Sequence, residues 1–454
     1  MFAFSLRNAT TRYRRLFAGI SLLLTSLGVT AADPSPRNVI LMIGDGMGFG
    51  QVSAYRQFVD DPATPATEAT VFDDMLVGTI ATRPSDGGDH ITDSAAGATA
   101  YACGIRTRNG AVGVDPQGAP CLTVVEAARQ RGKSTGIVVT SQLTHATPAA
   151  FYAHVPSRKQ IPAIASQFWR NHRGAVDLAL GGGAEDFETA LRQQMQRAGV
   201  HLIDTRAQLQ ALAALPAFGT FDRGGLPMAI DRSGEIPSLA EMTTVALQLL
   251  SQNERGFFLL VEGSQIDWAS HANDIVGTLS EMGSFADSIA VARAFVANHP
   301  DTLLVVTADH ETGGLSLGRD KQTQWRKSLL RAVRASATGM ARRVLAGANA
   351  VDVLQQLSTI VADHTDRERL QSSPREEAAL ADAFAEIVSK HSLTGWTTRG
   401  HTGADVPLYA IGAGSDSIRG HHDNAWLGQQ LLQLITAASS HPTGSTTSRK
   451  EHTP

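Results

Sequence analysis

Six short, β-branched apolar runs punctuate the chain: Asn38–Ile43, Lys133–Thr140, Val176–Leu180, Gly256–Val261, Thr302–Thr307 and Leu408–Ile411. Runs without polar alternation are buried on both faces, the pattern of parallel strands covered by helices. Helical periodicities lie between them, over Leu122–Arg131, Leu239–Ser251 and Ser284–Asn298. That alternation predicts an α/β fold, with a mostly parallel central sheet and helices on both of its faces.

The stretch from Arg319 to Trp396 departs from this pattern. It is polar and helix-forming, with Ala-rich amphipathic segments such as Ala378–His391, and reads as a helical insertion over about 319–396 whose charges form a solvated face. At the start of the chain, Arg7, Arg12, Arg14 and Arg15 surround or precede a short apolar core, Leu16–Val29, followed by Thr30-Ala31-Ala32. Residues 1–32 therefore read as a cleavable secretory signal. A membrane anchor needs about 20 apolar residues, and this run is shorter and broken by Gly19, Ser21, Thr25, Ser26 and Gly28. The Arg14-Arg15-Leu16-Phe17 run has the look of a twin-arginine export signal, although Tyr13 in front of it fits poorly.

Residues 1–32 hold four arginines and no acid, so their loss moves the net charge from −4 to −8. No later basic cluster forms a nucleic-acid footprint, and no later apolar run is long enough to span a bilayer. Residues 33–438 exceed a usual single core of about 250–300 residues, which suits one large α/β core carrying an insertion better than two equal domains. The remainder, 439–454, is rich in Ser, Thr, His and Pro and reads as a disordered tail. An oxidising compartment would permit Cys103 and Cys121 to pair. Spacing alone gives no Cα separation, and two packed, unpaired thiols are the favoured reading.

Three of the apolar runs end in acids: Asp45 in Ile43–Gly48, Glu262 after Phe257–Val261, and Asp309 after Leu303–Ala308. Ligand sites of open α/β sheets lie outside the carboxyl ends of strands. Acids gathered there repel one another unless cations lie between them. One such acid alone is usually a turn or capping residue; three with histidines point to metal. Asp267 and His271 are four apart, so a helix puts them on one face. Asp309 and His310 are adjacent at a strand end, and His401 sits in a Gly400-His401-Thr402-Gly403 loop. The set suits a two-metal hydrolase better than chance packing.

In Thr92–Ala100 a serine, Ser94, opens a helix of small residues, where free amides and the helix dipole favour an anion. Asp93 or Ser94 as a mere N-cap is the bland alternative. No Ser-His-Asp base is evident in the sequence, so activation of Ser94 falls to a metal.

Seven segments together, Ile43–Gly48, Asp93–Ala100, Thr144–Lys159, Pro237–Thr243, Val261–His271, Thr307–Gly314 and His401–Gly403, resemble the alkaline phosphatase family. The resemblance runs from about Asn38 to Leu432 and is weakest in the helical insertion. It implies hydrolysis of phosphate monoesters through a phosphoserine at Ser94, on two Zn2+ and one Mg2+. It assigns Asp267, His271 and His401 to a first zinc, which would activate the hydrolytic water. Asp45, Asp309 and His310 match the ligands of a second zinc, which would hold the Ser94 oxygen. Thr147 and Glu262, with Asp45 bridging, match the magnesium site. Arg158, a surface charge if read alone, matches the arginine that grips two phosphate oxygens, with Asp93 placed to orient it. The family also implies a homodimer, with inorganic phosphate as product and inhibitor, and the cleavable signal implies a periplasmic or secreted location.

Two positions depart from the best-studied bacterial pattern. His145 stands where those members have an aspartate near the magnesium, and Trp268 where they have a lysine. The departures bear on the third site and on substrate hydrogen bonding. His421 and His422 read as surface residues. Sulfatases share the fold but use a C/S-x-P-x-R motif, absent here. A phosphodiesterase or sulfatase on the same core, and a non-catalytic phosphate- or metal-binding protein, are the competing readings.

Overall fold

The computed structural model describes residues 35–86, 90–169 and 176–437. The expected signal (1–32) and tail (439–454) lie outside the described residues. A ten-stranded sheet forms the frame, in the spatial order 420–423, 76–81, 406–412, 302–307, 38–44, 257–263, 134–142, 178–182, 217–220, 201–203. Asn38–Gly44 pairs in parallel with both Phe257–Gly263 and Thr302–Thr307, and every residue of these three strands is buried. Full burial on both faces is why these runs carry no polar alternation.

The strand Val406–Gly412 runs antiparallel to its neighbours at 302–307 and 76–81, making the sheet mixed. Leu76–Ala81, His201–Ile203, Ala217–Thr220 and Gly420–Asp423 have no counterpart among the apolar runs of the sequence. They are short or lie toward the sheet's margins, where partial exposure removes the apolar signature. The helix expected over Ser284–Asn298 begins earlier, at Ile275. Asp274 caps it, accepting from the Val276 and Gly277 amides, and offsets the poor propensity of Gly277, Thr278, Ser280 and Gly283.

Five helices occupy Lys327–Arg331, Ala337–Leu345, Ala350–Leu357, His364–Ser372 and Glu377–Ser392. They enclose a second apolar core around Met340, Leu354, Leu380 and Phe384, distinct from the core under the sheet. The 24-residue helix Ile275–Asn298 joins the two, giving Ile275 and Leu279 to one core and Met282, Phe285 and Ile289 to the other.

The cysteines correct the reading of unpaired thiols: Cys103 and Cys121 form a disulfide, with Cα atoms 5.9 Å apart. Gly104, in the left-handed region (φ +66°), ends the helix Ser94–Cys103. Bridges Val112↔Val155 and Val114↔Pro120 then fold the following loop back, bringing Cys121 beside the helix end. The first of these bridges spans 43 residues, and neither leaves a mark on the spacing of the two cysteines.

Candidate active site

Strand register decides where the acids meet. Ile43 lies opposite both Glu262 and Thr307, so Asp45, Glu262 and Asp309 emerge together at the carboxyl end of three adjacent central strands. All three are fully buried. Burial first, and then the Asp309 charge, hold the Asp45 carboxyl well above the usual carboxylate range. Glu262 is pushed up to about 8 by burial above all, and Asp309 is raised for the same reason.

The structure gathers Asp267, His271 and His401 in one group and Asp45, Asp309 and His310 in a second, while Asp45 and Glu262 share a third with His145, which was expected beside the magnesium and not as a ligand. In the first, the helix Gln265–His271 presents Asp267 and His271 on one face, with Asp267 Oδ1 3.3 Å from His271 Nε2. His271 Nδ1 faces the Arg399 carbonyl at 2.5 Å, and His401 Nδ1 faces the Thr92 carbonyl at 2.8 Å. A carbonyl only accepts, so both Nδ1 atoms carry the proton. Their Nε2 lone pairs then confront each other at 3.1 Å, beside a carboxylate. Such an arrangement is repulsive without a cation at its centre.

In the second group, His310 Nε2 lies 3.5 Å from Asp45 Oδ1, 3.3 Å from Asp309 Oδ2 and 3.2 Å from Ser94 Oγ. Burial keeps the imidazole neutral by lowering its pKa well below the ordinary value. The rings of His310 and His401 stack at 3.6 Å, so the first two groups adjoin. Ser94 is 2% exposed at the first position of its helix. Gly97 packs on the Asp309 backbone, where a Cβ would meet the carbonyl oxygen at 2.9 Å; only glycine permits that approach.

Around the third group, Glu262 Oε2 accepts from Ser264 at 2.7 Å while Oε1 has no hydrogen-bonding partner. Both Asp45 oxygens, Asp309 Oδ2, Thr147 Oγ1 and His145 Nδ1 are likewise buried and without one. Buried acceptors are ordinarily satisfied. Their convergence here fits hard divalent cations and oxygen ligands. His145, lowered to about 3 by burial and then by the Arg158 charge, is neutral and takes a hydrogen bond from Arg158 Nη2 on Nε2 at 3.1 Å.

Arg158 reaches the site from the loop after Val155. Its backbone amide donates to the Gly110 carbonyl at 2.7 Å, and Nη1 donates to Asp93 Oδ2 at 3.2 Å. Two of its five donors are thus used, and the rest of the fork stays available for oxygen ligands. Trp268 packs edge-on to His145, with ring centroids 5.7 Å apart. Gly225 makes room for it: a Cβ there would lie 2.5 Å from the indole. His421 and His422 lie apart from this constellation, on the strand Gly420–Asp423; His421 contacts Thr79 and His422 stacks on Trp426.

Sequence reasoning passed over the residues behind the ligands. Glu311 accepts from Gln51, from the Gly314 amide and from the Thr402 hydroxyl, tying the His401 loop to the strand end that carries His310. Thr312 contacts both Asp267 and His310. A threonine beside a strand end carries no sequence signal of that role.

A buried alcohol, a guanidinium fork and converging acids and imidazoles at the carboxyl ends of the parallel central strands define a metal-dependent hydrolase of phosphate esters. The alkaline phosphatase profile matches residues 36–437. Alkaline phosphatase 3 of Bacillus subtilis (strain 168) is 41% identical over 417 residues, covering 88% of this chain and 89% of its own. Alkaline phosphatase 4 of the same strain is 37% identical over 431 residues, covering 92% and 94%. The crystal structure of the cold-active enzyme from the psychrophile Shewanella sp. matches with a TM-score of 0.84 at 42% identity, over 88% of this chain and 99% of that one. The chain belongs to the alkaline phosphatase family, whose members are metal-dependent phosphoric monoester hydrolases.

Proposed function

We propose that this phosphatase works through a phosphoserine at Ser94, with two zinc ions and one magnesium ion resident. Asp267, His271 and His401 would hold one zinc, Asp45, Asp309 and His310 the other, and Asp45, Thr147 and Glu262 the magnesium, with His145 beside it. When bound, the ions supply positive charge to the nucleophilic and leaving oxygens of an in-line displacement. The observation that carries this reading is the set of buried, partnerless acceptors converging around Ser94.

The chain's own groups divide the remaining work. Ser94 Oγ attacks phosphorus, the ester P–O bond breaks, and the alcohol departs with a proton. Water then attacks from the opposite side, the P–Oγ bond breaks, and phosphate is released. Arg158 grips two equatorial oxygens throughout with its free donors. Asp93 and His145 hold that fork in plane. The doubly charged monoester matches this cation better than a diester does.

The 3.2 Å contact between Ser94 and His310 favours a second reading, a serine–histidine pair. Two observations weigh against it. Burial makes His310 a weak base, and its Nε2 faces two further carboxylates that need a cation more than an imidazole lone pair.

We also infer export from the cell, supported by the Cys103–Cys121 disulfide. Among the described residues no helix is long and apolar enough to cross a membrane. Metal analysis with an aryl phosphate assay tests the central reading. Two zinc ions per chain, activity lost on chelation and regained with zinc and magnesium, are expected. Full activity in exhaustively stripped protein would instead support the serine–histidine pair.

A further inference from the structure

The hydroxyl of Thr312 stands between the two zinc clusters, and the mechanism leaves it unused. Thr312 is fully buried. Its Oγ1 donates to Asp267 Oδ1 at 2.5 Å and lies 3.2 Å from His310 Nδ1. A hydroxyl has one proton to give and lone pairs to accept with. With the proton committed to Asp267, Oγ1 is the acceptor for His310 Nδ1–H. That fixes the tautomer: the His310 lone pair is on Nε2, the atom facing Ser94, Asp45 and Asp309.

The backbone of Thr312 touches the segments that carry Asp45 and His401. Its amide donates to the Gly46 carbonyl at 3.2 Å, next to Asp45, and its carbonyl accepts from Gln51 Nε2 at 2.7 Å. Across the short antiparallel pair, Thr312 lies opposite His401. Gly46 has φ +74°, and a Cβ there would come within 2.9 Å of Thr312 Oγ1. A side chain at 46 would crowd the hydroxyl, so glycine leaves it room.

We propose that Thr312 is a positioning residue that couples the two zinc clusters, orienting Asp267 in one and setting the tautomer of His310 in the other through a single hydroxyl. The inference rests on the reading that these clusters bind metal. Hydrogen-bonding partners of metal ligands are worth about 10- to 100-fold in metal affinity. A side chain serving two ligands should weaken both sites when its hydroxyl is lost.

The test is zinc affinity of the full chain, measured by competition with a chelator, for Thr312→Ser, Thr312→Val and Thr312→Ala beside the unmutated protein. Thermal melts of the metal-free forms report fold separately from metal. The proposal expects the serine variant to stay within a few-fold of threonine. It expects the valine and alanine variants to bind zinc roughly 10- to 100-fold more weakly at both sites. A ranking by shape, with valine matching threonine and serine falling with alanine, overturns it. Should the valine variant fail to fold, serine against alanine decides, because they differ chiefly by the hydroxyl. If the unmutated chain takes up no zinc, the functional reading falls and this inference with it. If it takes up zinc and the valine variant does so equally, only the inference falls.

Discussion

Asp93 and Arg158 meet through one carboxylate oxygen: Arg158 Nη1 donates to Asp93 Oδ2 at 3.2 Å, and the other oxygen of Asp93 caps the Ser94 helix by accepting from the Ala96 amide at 3.0 Å. Oδ2 also accepts from the Gly110 amide at 2.9 Å. A single side chain thereby holds the Ser94 helix and the Arg158 guanidinium in register.

Breaking that register should separate stability from catalysis. Asp93→Asn retains a cap and should unfold near the unmutated protein, yet raise KM by freeing Arg158. Asp93→Ala should add a loss of about 1 kcal/mol in a denaturant melt. On the proposed reading Arg158→Ala would remove two charge-assisted bonds to phosphate and should lower kcat/KM on monoesters roughly a hundred- to thousand-fold. A diester, with one less charge to pair, should suffer far less, and lysine should replace Arg158 poorly. Equal losses on monoester and diester would show that selectivity resides elsewhere.

The buried acids give the metal-free protein a characteristic pH response. Glu262 is raised to about 8 in the fold, from an ordinary value near 4.5. A carboxyl raised on folding favours the protonated native state, so it destabilises the fold as pH climbs from its unfolded pKa through its folded one. Asp45 and Asp309 act in the same direction. Metal-stripped protein should therefore lose thermal stability between about pH 4.5 and 8. Protein loaded with metal should not, since cations stabilise the ionised acids. Parallel melting curves for the two forms across that range would contradict the assignment of these acids as ligands.

The disulfide joins the end of the Ser94 helix to the loop whose Gly110 carbonyl receives the Arg158 amide. Replacing both cysteines with serine should cost about 3 kcal/mol, as a closed loop of this length implies. It should also weaken inhibition by inorganic phosphate, because Arg158 loses one of its supports, while leaving zinc content unchanged. Loss of zinc along with phosphate affinity would mean that the loop supports the metal ligands as well.

What was legible in the sequence follows from burial and spacing. Strands hidden on both faces wrote themselves as unbroken apolar runs, and the acids ending them marked the sheet's carboxyl edge. The Asp267 and His271 pair was readable because four residues make one helical turn. Residues whose role depends on a distant partner left no such trace. Cys103 meets Cys121 only because the chain folds back at Val112 and Val155, and Thr312 matters only because Asp267 and His310 converge on it. Marginal strands such as Leu76–Ala81 and Gly420–Asp423 lost their apolar pattern to partial exposure.

The central claim is that Ser94 becomes phosphorylated during turnover. As an N-terminal helix residue and nothing more, Ser94→Ala would cost about 0.5–2 kcal/mol of stability and little rate. As the nucleophile, its loss should cost several orders of magnitude in kcat/KM, with slow hydrolysis surviving through Arg158 and the bound ions. Transfer of phosphate to an added alcohol should lose its covalent route. The direct measurement is acid quenching of the unmutated, metal-loaded enzyme during reaction with labelled phosphate ester, followed by mapping of the label. Label on Ser94 as acid-stable phosphoserine, absent from Ser94→Ala, is the expected result. Label on another residue, or a Ser94→Ala protein that keeps most of its rate, would contradict the account.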